Sequence, residues 1–151
     1  MSALPNLLPA QKSAARMAAV QALYLIEITG QKPDKVTGDF LAGRIPAEAG
    51  AALPADFDRE LFTAIVHECT ARREEVDAAL SGSLDAKWPL ERLEKILRAL
   101  LRAGVTELLS AGVDGPIVIN DYINVAHGFF SGKEPALVNA VLDKVSKNLH
   151  S

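Results

Sequence analysis

Between Leu93 and Leu108 the chain sets Leu93, Ile96, Leu97, Leu100, Leu101 and Leu108 at three- and four-residue spacing. At the helical period these side chains share one broad face, so residues 92–111 are expected to form an amphipathic helix. Lys95, Arg98 and Arg102 lie within about 60° of one another on a different face. A helix of this kind needs other helices to cover its apolar side. No alternating apolar and polar run bounded by hairpin turns offers a strand to do so.

The rest of the chain reads the same way. Residues 10–29 (Ala14, Met17, Ala18, Leu23, Tyr24, Leu25, Ile28) predict a helix with Pro9 just before it and Gly30 as its stop. Pro33, Gly38, Gly43, Pro46, Gly50 and Pro54 punctuate residues 31–55, where one short helix near 34–43 and a mobile loop are expected. A long helix is expected from Asp56 to about Leu80. Ser81-Gly82-Ser83 then reads as a joint, with Pro89 near the next helix start. Gly115-Pro116 opens a helix running through Phe130, with Val118, Tyr122, Val125 and Phe129 inside and Asn120, Asn124 and His127 on its polar side. Glu134-Pro135 starts the last helix, whose apolar residues are Leu137, Val138, Val141, Leu142 and Val145. The expected fold class is all-α, with about seven helices in two packed bundles. A single domain spans 1–151, with helical halves 1–82 and 83–151.

Composition supports a packed helical protein. Hydrophobic residues make up 49% and charged residues 23%, as in folded chains. With only 5% aromatic residues, the core falls to Ala, Leu, Val and Ile, of which Ala and Leu favour helix. The single Cys69 permits no intramolecular disulfide, which suits a reducing cytoplasm. No apolar run is long enough for a membrane span, and no basic segment followed by an apolar one marks a secretory leader. The net charge of −3 argues against a general charge-driven nucleic-acid binder. The acid is concentrated in the middle: residues 1–30 carry +1, 31–90 carry −4, and 91–151 are neutral. An anionic partner would therefore meet the first helix and the C-terminal half.

No catalytic constellation is present. His67-Glu68 lacks the second histidine of a zincin helix, and one Cys with His67, His127 and His150 makes a metal site improbable. No Gly-rich phosphate loop occurs. Cys69 lies on the apolar side of its helix, as an inert buried thiol does. An enzyme, a metal and a cofactor are not expected.

Several ordered blocks nevertheless make up a pattern: Ala15-Arg16, Val20-Gln21-Ala22-Leu23-Tyr24, Trp88 through Leu109, Pro116-Ile117-Val118-Ile119-Asn120-Asp121, and Leu137-Val138-Asn139-Ala140-Val141-Leu142-Asp143-Lys144. In this order and spacing the chain resembles the NusB family of bacterial transcription antitermination factors. The resemblance implies a two-bundle helical fold and a non-enzymatic role. It implies binding of boxA-type single-stranded RNA jointly with the ribosomal protein NusE, within a transcription complex of RNA polymerase and other Nus factors on ribosomal RNA operons. It allows a monomer or a homodimer. By position it assigns RNA contacts to Lys12, Arg16, Arg102, Leu137, Asn139 and Lys144. The chain departs from the family at Gln11, Ser13 and Ala14, where arginines are common, and at Ala140, a frequent glycine. Leu137 stands where an aromatic ring stacks on a base, a contact worth about 1–3 kcal/mol. Two other readings remain. One is a protein-binding adaptor with weak or no RNA affinity. The other is the RNA-targeting module of an RNA methyltransferase, which would make the chain a fragment although its last helix ends at His150-Ser151.

Each residue also has a plain structural reading. Arg16 can be a solvated residue. Lys95, Arg98 and Arg102 can pair with Glu91 and Glu94 along one helix. Asn120 and Asp121 suit capping or first-turn positions. Asn139 either bonds a buried backbone group or faces RNA. Trp88 is expected to anchor the core between the bundles, and Tyr24 to be core with its hydroxyl at the edge.

Overall fold

A computed structural model describes residues 4–49 and 56–150, with side chains from residue 9 onward and that of residue 48 excepted. The described residues contain seven α-helices and no strand. These are α1 (Leu4–Thr29), α2 (Pro33–Leu41), α3 (Arg59–Ala71), α4 (Arg73–Ser81), α5 (Lys95–Leu108), α6 (Gly115–Phe129) and α7 (Glu134–Leu149). Short 3-10 turns lie at Ala47–Ala49 and Leu90–Arg92. Among the described residues no helix is long and apolar enough to cross a membrane. Part of the expected mobile loop, residues 50–55, falls outside the described residues.

Local chemistry sets the ends. Asp58, Glu94 and Asp114 each accept first-turn backbone N–H groups of α3, α5 and α6. Pro33, Pro116 and Pro135 sit in the first turns of α2, α6 and α7, where a missing N–H costs nothing. Gly30 closes α1 with φ +71°, a conformation that glycine adopts without steric penalty.

Three boundaries differ from expectation. First, α1 begins earlier and carries Pro9 inside it, where the helix forgoes one backbone hydrogen bond. Second, the helix expected over 56–80 breaks at Arg72 (φ −109°, ψ 28°), which ends α3 and starts α4. Glu74 and Glu75 then sit in the first turn of α4, where carboxylates are favoured, and Glu75 holds the Arg72 guanidinium through two hydrogen bonds. Third, α5 starts at Lys95 rather than at residue 92, because the Leu90–Arg92 turn precedes its Glu94 cap.

α1 packs against α2, α3, α5 and α6, while α5 packs against α1, α3, α4, α6 and α7. As a result every residue of α5 from Leu97 to Leu108 is buried. Gly104 lets α5 and α7 approach closely: a Cβ there would stand 2.9 Å from a Leu142 methyl. Phe62 stacks on Phe40 at 5.5 Å and meets Phe57 edge-on at 5.2 Å, joining α2 to α3. Tyr24 is half-buried against the core. Trp88, expected as the core anchor, is instead 59% exposed. The backbone turn from Asp85 to Trp88 presents the indole outward, and Leu90 and Leu93 fill the core in its place.

Candidate nucleic-acid interface

The crossing of α1, α5 and α6 is built on a charge cluster. Arg16 is only 8% exposed. Its Nε and Nη2 donate to the two Glu107 carboxylate oxygens at 2.7 and 3.0 Å, a bidentate fork. Its Nη1 donates to Asp121 Oδ2 at 2.6 Å. The other Asp121 oxygen accepts from Ser13 Oγ, and the fully buried Tyr122 hydroxyl donates to Glu107 Oε2 at 2.6 Å. The Arg16 guanidinium also lies 5.9 Å from the Tyr122 ring centre. Burial alone would pull the Arg16 pKa down, but hydrogen bonds and charge from Glu107, then Asp121, outweigh it and hold the pKa above the ordinary arginine value. Burial, then the Glu107 carboxylate, pushes the Tyr122 phenol well above its usual value. Arg16 is therefore not a solvated surface residue: its fork is engaged by Glu107 of α5 and Asp121 of α6. Asp121, expected at a cap or first turn, serves this tertiary pair, while Asp114 caps the helix.

A second cluster surrounds the other buried arginines. Arg102, 7% exposed, donates from Nε and Nη2 to the two Asp77 oxygens at 2.8 and 3.2 Å and lies 3.7 Å from Glu27. Arg98 donates to Glu27 and to the backbone carbonyls of Leu90 and Glu91. Their carboxylate partners come from α1 and α4, not from the Glu91 and Glu94 side chains expected along α5. Burial works to raise the Asp77 pKa, but Arg102 and then Arg73 outweigh it and bring it below the ordinary value. The structure does not bring Arg102 to Arg16, because one cluster is built on the middle of α1 and the other on Glu27 near its C-terminal end. Cys69 is buried, and burial pushes its thiol pKa up. No group of His, Cys, Asp and Glu able to hold a metal occurs among the described residues.

The remaining assigned residues lie at the surface. Lys12 is exposed beside the Arg16 cluster, and no Lys or Arg precedes it in the chain. On α7, Leu137 is half-buried against the core, while Asn139 and Lys144 are exposed. Leu137 and Lys144 lie about 20° apart around the helix, but Asn139 is about 160° from Leu137. Asn148, on the Leu137 flank, bonds Ser83. Ser146, on the Asn139 flank, stands beside Gly115 of α6. The structure thus groups Asn139 with α6, apart from Leu137 and Lys144. Among the described residues Asn139 bonds no buried backbone group.

The crest of α6 carries Ile117, Asn120, Asn124 and His127, all exposed, with α1 on one side and α7 on the other. Ile117 was not singled out as a surface residue in the sequence. It is 63% exposed. Its signal was available, since it lies about 140° around the helix from Tyr122, at the middle of the buried face. The surface around Lys12 and this crest offers one ammonium, two amides, an imidazole and an aliphatic knob, a set able to meet one phosphate and several base edges.

The NusB family model matches residues 13–147, nearly the whole described chain. The chain belongs to the NusB family. A transcription antitermination protein NusB of Gluconobacter oxydans is 44% identical over 95% of this chain and 92% of its own length. The NusB of Granulibacter bethesdensis is 40% identical over 91% and 88%. These relatives are named for transcription antitermination, which is not an enzymatic activity. Among solved structures, a crystal structure of NusB and NusE in complex with double-stranded RNA contains a chain with TM-score 0.73 and 23% identity, covering 90% of this chain and 96% of that one. Thermotoga maritima NusB superposes with TM-score 0.73 at 22% identity, covering 89% of each chain. At such identity these two establish the shared all-α fold.

Proposed function

We propose that this protein is an RNA-binding transcription antitermination factor that acts without catalysis. It binds boxA-type single-stranded RNA together with NusE and sustains transcription of ribosomal RNA operons in the cytoplasm, within a complex of RNA polymerase and other Nus factors. The observation that carries this reading is membership of the NusB family across 13–147. In this reading Lys12 contacts phosphate, and Asn120, Asn124, His127 and Asn139 meet base edges on the α1–α6–α7 surface. Leu137 and Lys144 form a separate contact on the far flank of α7. Arg16 and Arg102 position α1 from within rather than touching phosphate.

The test is fluorescence anisotropy of a labelled boxA-type RNA, titrated with the protein alone and with NusE at two salt concentrations, with a scrambled RNA as control. Selective binding that tightens with NusE is expected. Absence of selective binding even with NusE overturns the RNA reading. One observation favours the second reading, a protein-binding adaptor: with Arg16 paired inside, Lys12 is the one exposed cation of α1. That reading predicts NusE binding without RNA.

A further inference from the structure

Two depressions flank a ridge made by Lys12, Arg16 and Ile117, which line both. The depression between α1 and α6, about 510 Å³, has Pro9, Lys12, Ile117 and Asn120 as walls over the buried Arg16–Asp121 pair. The Asn120 amide has no protein partner among the described residues. The depression on the other side, about 590 Å³, is acidic: Asp58, Glu60, Glu107 and Asp114 line it against Lys12 and Arg16. The Asp58 and Asp114 carboxylates already cap α3 and α6.

We infer that Ile117 is the platform for one unstacked base of the bound RNA, seated in the α1–α6 depression with its edge at Asn120 and its phosphate at Lys12. The inference deepens the RNA-binding reading and rests on it. Three features of the site point the same way. An isoleucine 63% exposed at the mouth of a depression offers a flat aliphatic contact, which a base face accepts and a phosphate does not. An amide beside it presents a donor and an acceptor together, the pairing that a base edge requires. Asp58, Glu60 and Asp114 across the ridge, which unlike Glu107 have no arginine in their fork, repel a phosphate, so the backbone is kept at Lys12 and the base is turned inward. The platform also supplies, on α6, the apolar contact that Leu137 delivers poorly on α7.

The experiment is a cycle of protein and RNA changes, read by anisotropy with NusE present. Single abasic sites are scanned through the boxA-type RNA against the full-length protein and its Ile117→Ser variant. Trp88→Ala serves as a control for an exposed apolar residue elsewhere. Ile117→Ser is expected to weaken binding about fivefold, from the lost apolar contact, with the salt dependence unchanged. At one nucleotide the abasic penalty should shrink in the variant by about the fivefold that Ile117→Ser itself costs, because both changes remove the Ile117 contact while the abasic site alone also removes the Asn120 one. Additive penalties at every position, or wild-type affinity in Ile117→Ser, overturn the base platform while leaving RNA binding intact. No selective binding by the wild-type protein overturns the RNA reading and the platform with it. Unchanged helical circular dichroism of Ile117→Ser confirms that the fold is not the cause.

Discussion

Arg16 shows how a family position and a physical environment assign different work to one side chain. Its fork is filled by Glu107 and Asp121 in a largely buried site, so removing it leaves two carboxylates without their counter-charge. Breaking a buried pair from one side typically costs about 3–5 kcal/mol, so Arg16→Ala should lower the urea midpoint by that equivalent. A loss under about 1 kcal/mol, the range of an exposed pair, would mean that the cluster opens to solvent. RNA binding separates the two cations further. Lys12→Ala should reduce the slope of log affinity against log salt by about one, whereas Arg16→Ala, measured below its unfolding range, should leave it unchanged. A reduced slope for Arg16→Ala would restore Arg16 as a phosphate ligand. Trp88 supplies a further check: exposed in the fold, it should fluoresce in the native protein nearly as far to the red as in the unfolded chain. A blue-shifted native spectrum would return the indole to the core.

At the scale of elements, the periodic apolar pattern made most helices legible, and the proline and glycine positions placed the starts of α2, α6 and α7. The break at Arg72 was not legible, since neither glycine nor proline marks it. Nor was the burial of α5. A two-faced periodicity reads as one side in and one side out, but α5 is covered all round, and its basic face is buried against Glu27 and Asp77. Nothing in the local sequence of α5 reveals partners that lie 25 and 71 residues away. The candidate surface was half legible for the same reason: the α6 amides could be placed, while the inward turn of Arg16 and Arg102 could not. Asp77 makes the α4–α5 contact testable by pH. Its pKa in the fold is below the ordinary 3.8, so its contribution is fully present above that value. It is lost as pH falls through the depressed folded value. Asp77→Asn should therefore destabilise the protein at neutral pH and reduce the loss of stability between about pH 4 and pH 2 in urea titrations. Parallel wild-type and variant curves down to pH 2 would show that Asp77 does not stabilise this contact.

At the scale of the molecule, the two sequence halves are joined by charge as well as by apolar packing. Arg16 in the first half pairs with Glu107 and Asp121 in the second, Glu27 with Arg98, and Asp77 with Arg102. Each of these buried or partly buried pairs crosses the Gly82–Ser83 joint, and α1 lies against both α5 and α6. A half produced alone would keep Arg16, Glu27 and Asp77, or their partners, without neutralising groups, and would expose the apolar faces around them. Both terms oppose independent folding. The segment 83–151 should therefore show little helical circular dichroism and no cooperative urea transition. The intact chain should unfold in one transition, and mixing the segments 1–82 and 83–151 should recover helicity. If 83–151 folds cooperatively alone, the halves are separate bundles held by a secondary interface. The Arg16 cluster would then act as a hinge contact between them, and Arg16→Ala would loosen their docking without unfolding either one.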